Sequence, residues 1–295
     1  MTTTKVCFII NPRSGSKGKE HYEADILRTI DRNKIDVSIR YTEAPQHATA
    51  IAAQCAKEDF NIVVAVGGDG SVNETGAGLI GTNTTLGIIP TGSGNGMARH
   101  LKIPVNFIKA VDVINRCSIE LIDSLAVNDR FCIGTIGVGF DAYIAHLFSK
   151  ADARGYSTYV KLVLSKFSKY PGKDYTIQLD GQLIQQNCFL LTFANSSQFG
   201  NNAVIAPFAD VKDGIIDISI MKKFPGYIAP SLIYRLLHNS IHNSKYFSGY
   251  KAKEIIIKNP TTMEGHIDGE PVLFDGDIKI KILPQSISVA VPISI

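Results

Sequence analysis

Ile62-Val63-Val64-Ala65-Val66 runs directly into Gly67-Gly68-Asp69-Gly70-Ser71-Val72-Asn73-Glu74. An unbroken apolar run, mostly β-branched, predicts a short strand buried on both faces, and the glycines predict a tight turn feeding a helix over 71–80. Such strands belong to parallel sheets covered by helices. Working outward, the same alternation fills the first 120 residues. Strands are expected at Val6–Ile10, Asp36–Tyr41 and Leu86–Ile89, and helices at Glu20–Arg32, His47–Lys57, Asn95–Leu101 and Phe107–Arg116. The rhythm predicts an α/β N-terminal domain with an open, largely parallel sheet.

From about Ser118 strand follows strand: Glu120–Val127, Phe131–Val138, Tyr175–Leu179, Cys188–Asn195, Ile215–Met221, Glu254–Ile257, Gly276–Leu283 and Ile287–Val291. Asn128-Asp129, Asp180-Gly181 and Asp268-Gly269 punctuate them as turns, which predicts a mainly antiparallel β C-terminal domain. Helical insertions at about 142–167 and 225–241 interrupt it. No internal repeat, low-complexity tract or long polar linker separates the parts, so they are expected to share a cleft.

The chain has 295 residues, 45% apolar and 19% charged, with a net charge of +3. That length favours two domains over one. So small a charge excess, without an arginine-rich run, excludes a dedicated nucleic-acid binder. Cys7, Cys55, Cys117, Cys132 and Cys188 are scattered and never paired as Cys-X-X-Cys, against a disulfide framework or a zinc site. Neither a signal sequence nor a membrane-spanning apolar stretch is present. The expectation is a cytoplasmic chain, with a peripheral visit to the inner membrane surface allowed; a homodimer is compatible with the sequence.

A glycine turn opening a helix suits phosphate, because the backbone can approach an anion and the helix N-terminus favours negative charge. Asp69 is odd in a pure anion nest unless Mg²⁺ separates it from the phosphates. A tight βα turn with Asp69 capping the helix accounts for the isolated GGDG as well. Two further loops shift the balance: Asn11-Pro12-Arg13-Ser14-Gly15-Ser16 after the first strand, and Pro90-Thr91-Gly92-Ser93-Gly94-Asn95-Gly96 after Leu86–Ile89. Loops at the carboxyl ends of parallel strands can converge on one ligand. None fits the P-loop or the dinucleotide fingerprint, so the phosphate site is of another type.

The ordered set Asn11-Pro12, Gly67-Gly68-Asp69-Gly70, Pro90-X-Gly-Ser-X-Asn95 and Asp268-Gly269-Glu270 resembles the diacylglycerol kinase catalytic-domain family, which includes bacterial lipid kinases and sphingosine and ceramide kinases, with NAD kinases as distant relatives. The match spans nearly the whole chain in order. The resemblance implies an ATP-binding domain at 1–122, with 285–295 a candidate to rejoin it, a lipid-substrate domain at 123–284, and an active site in the cleft between them. It implies nucleotide contacts from Asn11, Pro12, Thr42, Gly67, Gly68, Asp69, Gly70, Ser71, Val72, Asn73, Glu74, Gly92, Ser93 and Asn95, with ATP and Mg²⁺ as cofactors. Ser71 and Ser93 stand where threonine is usual and keep the hydroxyl. Gly96-Met97 depart from the diacylglycerol kinase form, and Gly-Ser-Gly-Asn is similar to sphingosine and ceramide kinases, which leaves the acceptor lipid open.

Asp268-Gly269-Glu270 read alone is an Asp-Gly hairpin turn with a solvated Glu270. A kinase acting on an alcohol needs a carboxylate to take the hydroxyl proton. By resemblance Glu270 is the expected base, with Asp268 and Asp69 arranging Mg²⁺ and the reacting groups; sphingosine-kinase-like members give the base to the residue matching Asp69. Around Ala206–Asp217, resemblance implies a structural Mg²⁺ on Asp213 and the carbonyls of Asp210 and Ile215, while a surface turn explains the spacing equally. His238 and His242 carry no expected role.

Ser157–Tyr170 sets Tyr159, Val160, Val163, Phe167 and Tyr170 at helical spacing, with Lys161, Lys166 and Lys169 interleaved. From 146 to 173 six Lys or Arg, Arg154 and Lys173 among them, face one acid, Asp152. A core-facing helix with a solvated basic face is the ordinary reading; the functional one is that this segment and Ile228–Leu237 border a lipid entrance on an anionic membrane. The leading expectation is transfer of the ATP γ-phosphoryl group to the hydroxyl of a diacylglycerol-like or sphingoid lipid. Rivals are a kinase of a soluble acceptor and a non-catalytic nucleotide-binding regulator.

Overall fold

A computed structural model describes residues 3–14, 19–151, 156–167 and 169–293. Gly15, Ser16, Asp152, Arg154 and the side chain of Tyr159 lie outside the described residues. The chain runs β1 (Thr4–Ile10), α1 (Lys19–Thr29), β2 (Ile35–Tyr41), α2 (His47–Lys57), β3 (Ile62–Gly67), α3 (Asp69–Leu79), β4 (Thr85–Pro90), α4 (Gly96–His100), α5 (Phe107–Asn115) and β5 (Cys117–Val127). It continues through β6 (Arg130–Cys132), β7 (Thr135–Gly139), α6 (Phe140–Ser149), α7 (Tyr156–Phe167), β8 (Lys173–Leu179), β9 (Gln182–Cys188), β10 (Leu190–Ala194) and β11 (Ile216–Met221). α8 (Ala229–Leu237), β12 (Phe247–Ala252), β13 (Glu254–Lys258), β14 (Met263–Ile267), β15 (Glu270–Phe274) and β16 (Ile278–Pro292) complete it. The residues up to Asp123, with Gln285 onward, form one compact unit, and Ser124–Pro284 form the other.

In the first unit the strands lie in the order β2-β1-β3-β4, each neighbouring pair parallel. β3 and β4 are buried at every position, as continuous apolar strands covered on both faces must be. The end of β16 adds a parallel partner, Val289 opposite Leu86. α3 begins two residues before the expected helix, because Gly68 is extended (φ −90°, ψ −170°) and serves as the N-cap. Asn106 caps α5, its side chain accepting the Lys109 N–H at 3.1 Å. The N-cap of α2, Gln46, is left-handed and gives no side-chain cap; the Glu74 carboxylate of α3 accepts the Ala48 N–H at 3.3 Å instead.

The second unit is an antiparallel β-sandwich. One sheet runs β12-β11-β10-β7-β14-β15, and the other pairs β9, β8, β13 and the start of β16. Their inner faces share a core that includes Ile136, Phe193, Ile218, Ile255, Val272 and Ile280. The outer face of the six-stranded sheet carries a second core, where Phe140, Phe189 and Phe224 meet residues of α6, α7 and α8.

Three expectations change here. Phe131–Val138 is two strands, because Ile133 and Gly134 leave the ladder and turn their N–H groups to Asp268. Gly276–Leu283 and Ile287–Val291 are one strand, bent at Gln285 (φ +47°), whose N–H donates to the buried Asp123 carboxylate at 2.7 Å. β9 had no signal in the sequence: Gln182–Cys188 is a polar strand with most positions exposed or half-buried, pairing only with β8.

Candidate functional site

The phosphate-loop candidates of the first unit are tied to one another at the carboxyl ends of β1, β3 and β4. Asp69 carries the central tie. Its carboxylate accepts the Asn95 N–H at 2.8 Å and the Gly96 N–H at 2.7 Å, across the two glycine loops. The sequence offered a Mg²⁺ or a cap of the helix as reasons for an acid in this loop; Gly68 is the N-cap of α3, and the Asp69 carboxylate turns instead toward backbone donors at the start of α4, where charge-assisted bonds are stronger than neutral ones. Asn95, left-handed and buried, closes its own loop, accepting the Gly92 N–H at 3.0 Å and donating to the Gly92 carbonyl at 2.8 Å.

Glycine is required at this crossing by close approach. A Cβ on Gly92 would lie 2.5 Å from the Gly68 Cα. The Thr91 N–H donates to the Gly67 carbonyl at 2.8 Å, and Ser14 and Thr91 pair through their hydroxyls at 3.0 Å. Asn11 donates to the Ser71 hydroxyl at 3.2 Å, and the Thr42 N–H donates to the Ile10 carbonyl at 3.0 Å, placing both beside the same loop ends. Pro12 and Ser93 are exposed, Gly70 and Asn73 half-buried, and Val72 points into the core. Glu74 sits apart from the glycine turn, its carboxylate at the N-terminus of α2. The first turn of α3 leaves backbone N–H groups that lack intrahelical partners, the donors an anion needs.

In the second unit Asp268 and Gly269 (φ +48° and +83°) form a two-residue hairpin turn joining β14 to β15, with Ile267 opposite Glu270. The bland reading of the turn is therefore correct as far as the backbone goes. The side chain of Asp268 does more. Its Oδ1 accepts the Gly134 and Thr135 N–H groups at 2.8 and 2.9 Å, its Oδ2 accepts the Ile133 N–H at 2.9 Å, and Cys132 Sγ lies 3.4 Å from Oδ1. Burial, and then the Asp268 charge, push the Cys132 thiol well above its ordinary value. Asn195 holds the other side of this loop, donating to the Ile133 carbonyl at 2.8 Å. Glu270, first in β15, is exposed.

Two acids that the sequence did not single out are buried. Asp123 anchors Gln285, as described. Asp141 of α6 accepts the Ala142 N–H at 2.8 Å and faces His266 Nε2 at 3.1 Å, beneath Gly137, where a Cβ would come within 2.2 Å of both. His266 lies on β14, two residues before the turn residue Asp268. The available signals were an acid inside the strand run Glu120–Val127 and a histidine spaced by two from the turn acid.

At the expected metal segment the Asp213 carboxylate accepts the Ile215 N–H at 3.0 Å and meets the Lys251 ammonium at 3.3 Å; Lys251 also lies 3.4 Å from Asp217. The Asp210 carbonyl accepts the Asp213 N–H at 3.4 Å, and the Asp210 carboxylate the Lys212 N–H at 3.0 Å. Hard oxygen donors are present, with an ammonium already against the carboxylate. Among the described residues no group of three or more His, Cys, Asp or Glu comes together for a metal. In α7, Phe167 packs against Phe140 and Phe189, while Lys161 stays exposed.

The diacylglycerol kinase catalytic domain matches residues 5–127, and the YegS C-terminal NAD kinase beta sandwich-like domain matches residues 134–291. A diacylglycerol kinase of Bacillus subtilis (strain 168) is 27% identical over 267 residues, covering 89% of this chain and 88% of that one. A diacylglycerol kinase of Staphylococcus haemolyticus (strain JCSC1435) is 28% identical over 271 residues, covering 89% and 81%. The crystal structure of a diacylglycerol kinase from Bacillus anthracis str. Sterne superposes with a TM-score of 0.74 at 21% identity, over 99% of this chain and 98% of that one. A further solved chain from the same strain gives 0.82 at 22%, over 99% of each. At those identities the structures speak for the fold alone. The two family models together run from residue 5 to residue 291, and the chain belongs to the diacylglycerol kinase catalytic-domain family, with the YegS C-terminal domain following.

Proposed function

We propose that the chain transfers the γ-phosphoryl group of ATP to the hydroxyl of a lipid, diacylglycerol-like or sphingoid, presented at a membrane surface. The observation that carries this is the division of labour at Asp268-Gly269-Glu270. Asp268 is held by three backbone N–H groups, while the carboxylate two residues on is exposed at the head of β15. A general base needs a fixed platform and a reachable carboxylate, and this turn supplies both. Glu270 takes the proton from the acceptor hydroxyl, the oxygen bonds to the γ-phosphorus, and the bond to the bridging oxygen breaks to leave ADP.

In the first unit the α3 N-terminus and the glycine crossing accept the phosphates. Asp69 acts there by fixing the Asn95-Gly96 loop against the GGDG turn. Asn11, Thr42, Ser71 and Ser93 border the nucleotide. Mg²⁺, when bound, neutralises charge between the β- and γ-phosphates. For a structural Mg²⁺ we propose Asp213 with the carbonyls of Asp210 and Ile215, where the Lys251 ammonium has to be displaced from Asp213 Oδ2. No helix among the described residues is long and apolar enough to cross a membrane, and the reading needs only peripheral contact.

The test is Glu270→Gln. Turnover of a lipid acceptor with radiolabelled ATP should fall at least a hundredfold while ATP affinity by calorimetry holds, the usual scale for loss of a general base. Near-wild-type turnover removes Glu270 from the role. Offering NAD beside lipid dispersions in the same assay decides between soluble and lipid acceptors.

A further inference from the structure

Between Asp217 and Glu254 the chain contains no Asp or Glu, yet six Lys or Arg: Lys222, Lys223, Arg235, Lys245, Lys251 and Lys253. α8 lies in the middle of this acid-free stretch and is apolar on two faces. One face is spent: Leu232 is buried, and Ile228, Ala229 and Leu236 pack on the aromatic core beneath α6 and α7. The other is open among the described residues. Ile233, Tyr234 and Leu237 recur at helical spacing and are 49%, 60% and 47% exposed, and Tyr227, in the turn leading into the helix, is 80% exposed. A helix that is apolar all round is normally buried, and contiguous exposed apolar surface marks an interaction site.

The basic groups sort themselves around that face. Lys223 is turned inward, its ammonium donating to the Phe167 and Tyr170 carbonyls. Lys251 is paired with Asp213 and Asp217, which precede the acid-free stretch. Lys222 and Lys245 are exposed. Arg235 lies on α8 and shares a cleft of about 320 Å³ with Ile228, Leu232 and Lys245, and the Lys222 N–H bonds to the Tyr246 carbonyl beside Lys245. An exposed apolar face carrying tyrosines, in a stretch with exposed lysines and no carboxylate of its own, is complementary to an anionic bilayer. Aliphatic side chains enter the acyl boundary, tyrosines settle at the headgroups, and lysine and arginine meet the phosphates.

We propose that α8 and the preceding turn, through Tyr227, Ile233, Tyr234 and Leu237 with the exposed Lys222 and Lys245, dock on an anionic membrane surface. This rests on the reading that the acceptor is a membrane lipid, and places a contact for that membrane on the second unit.

The experiment sediments the full chain with vesicles of pure phosphatidylcholine or with added phosphatidylglycerol, none containing an acceptor lipid. Ile233→Ser/Tyr234→Ser/Leu237→Ser should lower partitioning onto the anionic vesicles on the order of tenfold or more, the residues being exposed and their loss harmless to folding. Lys222→Gln/Lys245→Gln keeps the apolar residues, serves if the triple variant fails to fold, and should lose on the order of tenfold at low salt and little at high salt. Both variants should keep wild-type turnover on an acceptor dispersed in detergent. Partitioning equal to wild type for a folded variant overturns the proposal. So does a vesicle-free dimer of the wild type that the triple substitution converts to monomer, since the face then belongs to a second copy. If the wild type phosphorylates no lipid while the vesicle differences hold, the docking surface stands and the lipid-kinase reading fails.

Discussion

Replacing Asp268 by Asn separates the two acids of the Asp268-Gly269-Glu270 turn. The carboxylate accepts three backbone N–H groups from two oxygens, one from Ile133 and two from Gly134 and Thr135, at 2.8–2.9 Å. An amide keeps one acceptor oxygen. It can serve the Gly134 and Thr135 pair, but its NH₂ then faces the Ile133 N–H, donor against donor. A hydrogen bond to a charged group is worth about 1.5–3 kcal/mol, and a buried donor left without an acceptor costs about 1–3 kcal/mol. With the remaining two bonds reduced to neutral strength, the sum is about 3–4 kcal/mol. For a unit of this size each kcal/mol moves the melting midpoint by roughly 2–4 °C, so calorimetry should show a fall on the order of 6–15 °C. Glu270→Gln is the matched control: Glu270 is exposed, and the variant's stability should stay within about 0.5 kcal/mol of wild type, roughly 1–2 °C in melting midpoint, while turnover is lost. Should Asp268→Asn melt with the wild type, or Glu270→Gln fall as far, the separation into an anchored acid and a reactive one is wrong.

Gly92→Ala sets a methyl group 2.5 Å from the Gly68 Cα, so the two glycine loops must part at a cost of about 1–3 kcal/mol, and titration calorimetry should show weakened ATP binding. Glu74→Ala removes the acceptor that serves the α2 N-terminus; urea unfolding should report a loss of about 0.5–2 kcal/mol, with ATP affinity unchanged if Glu74 acts only there. Burial pushes the Asp217 carboxyl above its ordinary range, against the pull of Lys251. The folded state then holds that proton more tightly than the unfolded one. The Asp217 contribution to stability is present below the unfolded value, near pH 4, and is lost as pH rises through the raised folded value. Asp217→Asn should flatten that part of a plot of urea midpoint against pH.

The α/β unit was legible because its signal is local. Continuous apolar runs such as Ile62–Val66 place strands, and glycine turns place the loops after them. β9 was not legible, since this edge strand buries only Cys188 fully and Ile184 in part, and the rest of Gln182–Cys188 is polar or exposed. Nor was the union of the last two strand segments. Pro284-Gln285-Ser286 looks like a break in sequence, and only the Asp123 carboxylate, more than a hundred and fifty residues away, explains how the strand continues through the left-handed Gln285.

The site shows the same split. The sequence by itself determined which residues form the loops, because glycine at 67, 68 and 92 and the acids at 69, 268 and 270 are chemical choices visible one by one. What each acid does was decided by tertiary structure. Asp69 bonds to a loop some twenty-five residues later, Asp268 to one more than a hundred and thirty residues earlier, and Glu74 to a neighbouring helix. A carboxylate's role follows from which donors reach it, and those donors are backbone N–H groups, which every non-proline residue carries. Residue identity therefore marks where an acid is, and only the folded chain says whether it holds a loop or faces solvent.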